Sequence, residues 1–242
     1  MKITHSLLAA VALLTAGSAL ADSQVTVHGQ NNLQIDHAQN LAQLLTNPAL
    51  QSWWPGTVIA ERGATAVAQQ EQKQLLEDLR RWQANSSEAL AGTIGAVIHQ
   101  LSALQVAGRQ FTSLDPDWVR LRPEANRTLQ GSYDLYTVPQ PTQVLVLGAL
   151  ENPGKESWQP GRTVRDYLEG HDRLSGGERS VASVIAPSGQ IQQVPIAYWN
   201  QRHIEVQPGS IIWLSFTSWS LPWGQADLNA RMLSLLTQRI PD

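Results

Sequence analysis

The stretch Gly131-Ser132-Tyr133-Asp134-Leu135-Tyr136 has a counterpart near the end of the chain, Gly209-Ser210-Ile211-Ile212-Trp213-Leu214. Both begin Gly-Ser and continue with side chains suited to a strand. Upstream of each lies a second matched pair, Thr57-Val58-Ile59-Ala60 and Ser183-Val184-Ile185-Ala186. Each half also opens alike. The first has Val25-Thr26-Val27, a polar turn near Gln30-Asn31-Asn32, then Leu33 and Ile35. The second has Val144-Leu145-Val146-Leu147, a turn at Asn152-Pro153-Gly154, then a run to Trp158. A short helix follows in both. Asp36 can cap one holding Leu41, Leu44 and Leu45, and Thr163 with Asp166 forms a capping box before Val164, Tyr167 and Leu168. The chain reads as an α+β protein built from two strand-strand-helix-strand units.

Spacing locates the difference between the copies. Ile59 and Gly131 are 72 residues apart, whereas Ile185 and Gly209 are only 24 apart. The surplus contains the most helical part of the chain, Ala64 to Val106. One helix carries Leu75, Leu76, Leu79 and Trp82; a second carries Leu90, Ile94, Val97, Ile98, Leu101 and Leu104. Asn85-Ser86-Ser87 separates them, with Asn85 and Glu88 spaced as a capping box. This predicts a helical hairpin over about 61–107, inserted in a first domain of 22–140 and removable as a unit. Val138-Pro139-Gln140-Pro141 is a stiff, extended joint to a second domain, 141–217. Residues 218–242 form a Trp- and Pro-bearing loop and a helix from about Gln225 to Ile240. Its stripe is Leu228, Met232, Leu235, Leu236 and Ile240. That helix packs on the second sheet or docks on a bilayer or partner.

The 242 residues include 42% hydrophobic and 15% charged, with a formal charge of −3. A mildly acidic chain lacks the basic face that nucleic acid demands. Cysteine is absent, which excludes disulfides, thiolate metal sites, cysteine nucleophiles and a lipoprotein anchor. Met1 and Lys2 precede an apolar stretch from Leu7 to Leu14 and then Ala19-Leu20-Ala21, the order of a secretory signal over 1–21 cleaved before Asp22. Given a Gram-negative source, the expected location is the soluble periplasm. The chain holds 25 Gln and 9 Trp, so its surface favours neutral polar partners.

Several motifs strengthen the pattern: Trp53-Trp54-Pro55-Gly56, Leu114-Asp115-Pro116-Asp117, Pro160-Gly161-Arg162, Tyr198-Trp199-Asn200-Gln201-Arg202-His203, Pro208-Gly209-Ser210 and Leu236-Thr237-Gln238-Arg239-Ile240-Pro241. Together they resemble the GfcC-like family of group 4 capsule and exopolysaccharide operons, over essentially the whole mature chain. The resemblance implies two β-grasp-like domains similar to those of outer-membrane polysaccharide export channels. It also implies a C-terminal amphipathic helix and a periplasmic role in capsule or exopolysaccharide assembly or secretion, with no established enzymatic activity. Trp199 and Arg202 enter as candidate binding residues through the fourth motif.

The remaining chemistry is sparse. Leu174-Ser175-Gly176-Gly177-Glu178 looks like a transporter-ATPase signature, but no phosphate-cradling Gly-x-x-x-x-Gly-Lys loop accompanies it, so it reads as a surface turn and no nucleotide is expected. His28, His37, His99, His171 and His203 share no metal-binding spacing, and no Gly-x-Ser-x-Gly elbow occurs. No metal or cofactor is expected. Asp115 and Asp117 can face one way in an extended segment as paired carboxylates, or form an ordinary turn that starts a strand. Arg109 follows Gly108 where the insert returns. It can tie the insert down, pair with Asp115 or Asp117, or bind a sugar carboxylate or a partner's acid with its fixed fork of donors. Indole faces suit sugar rings. Trp53 and Trp54 cannot both enter one core from an extended segment, and Trp219 and Trp223 sit in a loop. The leading expectation is a monomeric, non-enzymatic accessory that binds glycan or the export apparatus. The alternatives are a polysaccharide hydrolase or lyase using Asp115, Asp117 and Arg109, and a purely structural adaptor.

Overall fold

The computed structural model describes residues 23–30, 33–200 and 202–241. The expected export signal with its cleavage point, and Asn31, Asn32 and Gln201 of the quoted motifs, lie outside them. In chain order the elements are β1 (Ser23–His28), β2 (Gln34–Asp36), α1 (Leu41–Leu45), β3 (Val58–Glu61), α2 (Arg62–Ala84), α3 (Glu88–Ser102), α4 (Pro116–Leu121), β4 (Gly131–Tyr136), β5 (Gln143–Gly148), β6 (Gly154–Ser157), α5 (Val164–Leu168), β7 (Val181–Ile185), β8 (Ile191–Pro195), β9 (Ile211–Leu214) and α6 (Leu228–Thr237).

The strands form two mixed sheets, ordered β2-β1-β4-β3 and β6-β5-β9-β7-β8. In each, the first strand of the unit runs parallel to its last, β1 beside β4 and β5 beside β9, and the other neighbours are antiparallel. This is the doubled β-grasp-like arrangement of an α+β protein. The repeat extends to the loops. The Leu41 amide donates to Arg127 O at 3.0 Å, and the Val164 amide donates to Ile204 O at 3.0 Å. Thr163 and Asp166 form the capping box read from the sequence. Asp36 does not cap α1: Asn40 does, accepting from the Gln43 amide at 2.9 Å, because the chain stays extended through Asp36 as β2.

β8 is the element with no full counterpart in the first sheet. There its place beside β3 is held by a rudiment. Ala60 bridges to Arg109, the Glu61 amide donates to Gly108 O at 3.1 Å, and the Gln110 amide donates to Ile59 O at 2.8 Å. Helices α2 and α3 are thus the enlarged connection between β3 and a one-bridge strand. β8 escapes a reading by hydrophobic pattern because it is a largely exposed edge, Ile-Gln-Gln-Val-Pro.

The hairpin is inserted in the first unit but covers the second sheet. β5 turns Val144 and Val146 toward α5, and Leu145 and Leu147 toward the other face. β9 divides the same way, Ile212 and Leu214 against Ile211 and Trp213. On that second face one continuous core gathers Leu75, Leu79 and Trp82 of α2, Ile94, Val97 and Leu101 of α3, and Leu228, Met232, Leu235 and Leu236 of α6. Trp82 meets Phe216 edge to face at 4.7 Å. The self-contained hairpin expected from sequence is therefore corrected: its apolar stripe is half of a core whose other half is β5, β9 and α6.

A buried side chain fastens this layer. Gln100 of α3 donates through Nε2 to Gly148 O at 3.0 Å, and its Oε1 accepts from the Gly148 amide at 2.7 Å. Gly148 has φ of 118°, and a Cβ there would run into the Leu214 carbonyl; only glycine allows that turn against β9. Asn85 caps the end of α2 rather than the start of α3, with Nδ2 donating to Arg81 O at 2.7 Å; Ser87 holds the N-cap position of α3. α6 is shorter than read, and the chain beyond it becomes extended. The Ala107 amide donates to Gln238 O at 2.9 Å and the Ile240 amide to Gln105 O at 2.8 Å. No helix among the described residues is long and apolar enough to cross a membrane.

Candidate functional site

The joint between the units, Val138 to Thr142, runs along a cleft of about 250 Å³. Its walls include Trp53, Val138 and Pro187, with three cations, Arg109, Lys155 and Arg239. Among the described residues no carboxylate lines it. Seven separate segments of chain meet here, from both sheets and from the end of α6.

Trp53 is set by its neighbours. Its amide donates to Val138 O at 2.8 Å, and Pro55 is the middle residue of the tight turn Trp54–Gly56 that follows. The indole lies over Gly56 so closely that a Cβ there would be 2.7 Å from the ring. Trp54 turns the other way and packs on the first core with Val25, Leu45 and Ile59. The two indoles therefore serve different regions, and both are half-buried; the segment is not extended through both, since Trp54 enters the tight turn.

Arg109 sits at the seam. Its amide donates to Gln238 Oε1 at 2.8 Å, and its Nη2 donates to Pro187 O at 2.6 Å across to the β7–β8 turn. The guanidinium carbon lies 5.7 Å from the Phe111 ring centre. Burial pushes the guanidinium down to about 10, with desolvation the cause, so it remains a cation at neutral pH. Arg109 thus fastens one sheet to the other while facing the cleft.

Asp115 and Asp117 are elsewhere. Asp115 caps α4, its Oδ1 accepting from the Asp117 and Trp118 amides at 2.9 and 3.2 Å, and Pro116 takes the first helical position. Asp117 is exposed and pairs with Arg120 at 3.0 Å. The Asp-Pro-Asp segment therefore starts a helix, not a strand, and neither carboxylate lines the cleft with Arg109. Sequence spacing made the three look neighbouring; the turn into α4 sends them apart.

The other candidates lie at the far end of the second sheet. The cleft borders Gln143, Ile185 and Gly209. Register places Gly148 beside Leu214 and Val181 beside Pro195 at the opposite strand ends. From those ends the chain passes to Tyr198 and Trp199 and to Trp219 and Trp223. Trp199 is 77% exposed, Trp219 80%, and Trp223 fully; Arg202 is exposed nearby, its amide reaching Pro195 O at 3.4 Å. Trp223 borders a separate hollow of about 490 Å³ with Trp82, Ser86 and Leu90. The Leu174–Glu178 stretch is a turn, with Gly177 bridged to Phe216. Among the described residues no three His, Asp or Glu cluster as metal ligands would.

Sequence reasoning missed Lys155 and Arg239 as cleft residues. Lys155 lies on the edge strand β6, and Arg239, inside the terminal helix that the sequence predicts to about Ile240, lies just beyond the end of α6. The stiff joint at 138–141 was the signal that a seam existed there.

Comparison with known proteins places these features in a family. Residues 21–140 match the model of the GfcC capsule-biosynthesis N-terminal domain, and residues 152–241 match that of its C-terminal domain. The protein YjbG of Escherichia coli K12 is 41% identical over 245 residues, spanning 99% of both chains. With both halves matched in order along a twofold-repeated chain, this protein belongs to the GfcC family of capsule-biosynthesis proteins.

Proposed function

We propose that the protein acts in the periplasm as a non-enzymatic accessory of capsule or exopolysaccharide assembly or secretion, and that it holds glycan in the cleft between its two sheets. The observation that carries this reading is the cleft itself, with an indole wall at Trp53 and cationic side chains at a seam of the fold. Clefts between domains are common ligand sites. The capsule-biosynthesis family supports the biological setting. The engagement of Asp115 as a helix cap, and its separation from Arg109, lessens the case for a hydrolase or lyase built on those residues.

The test is to incubate the purified protein with the polymer whose genes neighbour its own. Binding that quenches tryptophan fluorescence and is lost in Trp53→Ala is the expected result. Shortened chains or new reducing ends, abolished in Asp115→Asn, would replace the accessory by an enzyme. A second reading rests on a different observation, the exposed Trp199, Trp219 and Trp223 at the far pole. Large exposed aromatics suit a protein partner of the export apparatus. Polymer secretion that fails in a Trp199→Ala, Trp219→Ala, Trp223→Ala triple variant, with glycan binding intact, would favour it.

A further inference from the structure

The charge of the cleft narrows its ligand. Arg109 is a half-buried cation whose side chain meets a backbone carbonyl and an aromatic ring, and among the described residues no carboxylate meets it. Removing a charge from water is costly unless an opposite charge compensates. Among the described residues, one of the five guanidinium N–H donors is taken, by the Pro187 carbonyl. A guanidinium is shaped to grip a carboxylate with two parallel hydrogen bonds. We propose that the cleft takes the carboxylate of an acidic sugar, gripped by Arg109, with the sugar ring laid along the Trp53 indole. This rests on the reading of the cleft as a glycan site and specifies which glycan it accepts.

Size and lining agree. The volume of about 250 Å³ falls just below the roughly 300–1,000 Å³ of pockets for drug-sized molecules, so it suits one ring of a chain rather than a long segment. Gln140 and Gln143 line the same cleft, and their amides can both donate to and accept from sugar hydroxyls. The indole supplies a flat apolar face for ring C–H groups, which a peptide carboxylate does not need. The burial that lowers the Arg109 pKa would be offset by a bound anion, which favours the charged form.

Calorimetric titration of the intact protein decides the matter with four probes: a disaccharide ending in glucuronic acid, its methyl ester, the neutral glucose analogue, and a short peptide with a free C-terminal carboxylate. The acid is expected to bind about tenfold or more tightly than the ester or the neutral analogue. Arg109→Gln should erase that preference, Arg109→Lys should keep part of it, and Trp53→Ala should weaken acidic and neutral sugars alike. Melting curves establish that each variant remains folded. Equal binding of acid and ester would overturn the carboxylate assignment while leaving a glycan site. So would an acid preference that survives in folded Arg109→Gln. A peptide that binds more tightly than the acidic sugar would transfer the site to a protein partner. Binding of no sugar would remove the glycan reading together with this inference.

Discussion

The two sheets share one plan and differ in how many faces they bury. β1 alternates Gln24, Thr26 and His28 against Val25 and Val27 because only one face meets the first core. Its other face is polar. Arg62 donates to Thr26 Oγ1 at 2.7 Å and pairs with Asp134 at 3.2 Å, while His28 meets Asp134 at 2.8 Å and stacks on Tyr136. β9, in contrast, is buried at all four positions, Ile-Ile-Trp-Leu, since α5 covers one face and α2, α3 and α6 the other. The first unit thus stays half-open and lends its longest connection to close the second. A boundary drawn along the chain near the 138–141 joint does not divide the cores in space.

The sharpest way to break that comparison is excision. Joining Ala60 to Gly108 through a short Gly/Ser linker should give insoluble or non-cooperatively melting protein, because it uncovers Leu147, Ile211, Trp213 and the stripe of α6 at once. A cooperative, β-rich product by circular dichroism would show that the second sheet does not need its neighbour's helices. Next in size is Leu235→Asp. It places a charge in the shared core, where Leu235 is 5% exposed, and should cost about 3 kcal/mol or more in denaturant unfolding. An unchanged midpoint would mean that α6 docks elsewhere in solution.

Gln100→Leu tests the fastening rather than the packing. It keeps the apolar volume but strips both hydrogen bonds from Gly148, and about 1–3 kcal/mol should be lost for buried groups left unpaired. Unaltered stability would show that the amide pair holds nothing. The smallest effect concerns the cap of α5. Hydrogen bonds with Thr163, from its backbone and then its side chain, hold the Asp166 carboxyl below its ordinary value. The folded state therefore binds that proton less readily than the unfolded chain. The cap's contribution should be complete above about pH 4 and fade as acid titrates the folded carboxyl. Asp166→Asn should flatten this part of the stability profile; an identical acid limb in wild type and variant would contradict it.

Much of this organisation was readable from residue order. The Gly-Ser strands, the Thr163–Asp166 box, the helix break near Asn85 and the α6 stripe all carry local signals, and local signals survive without a partner. The home of the hairpin was not readable. Leu75, Leu79 and Ile94 announce an apolar face but not the sheet that covers it, and the stripe would look the same against either. The candidate site suffered for a related reason. Trp53 and Arg109 stood out by type and by position next to a turn or junction, whereas Lys155 and Arg239 reach the cleft only through the pairing of β6 and the extended end of the chain. Asp115 misled because a residue before proline suits a helix cap as well as an extended carboxylate pair.

The lending of α2 and α3 has a consequence for the order of events as the chain is made. The hairpin emerges before any strand of the sheet it covers, and its partners in β9 and α6 come more than a hundred residues after its first turn. The first sheet also waits, since β1 cannot complete its parallel pairing until Gly131–Tyr136 has followed. Chains generally fold domain by domain from the N-terminus as they appear, but here neither unit can finish on its own schedule. The nascent protein must carry an uncovered apolar hairpin until its last helix arrives, so a truncated chain ending before α6 should be the species most prone to aggregate.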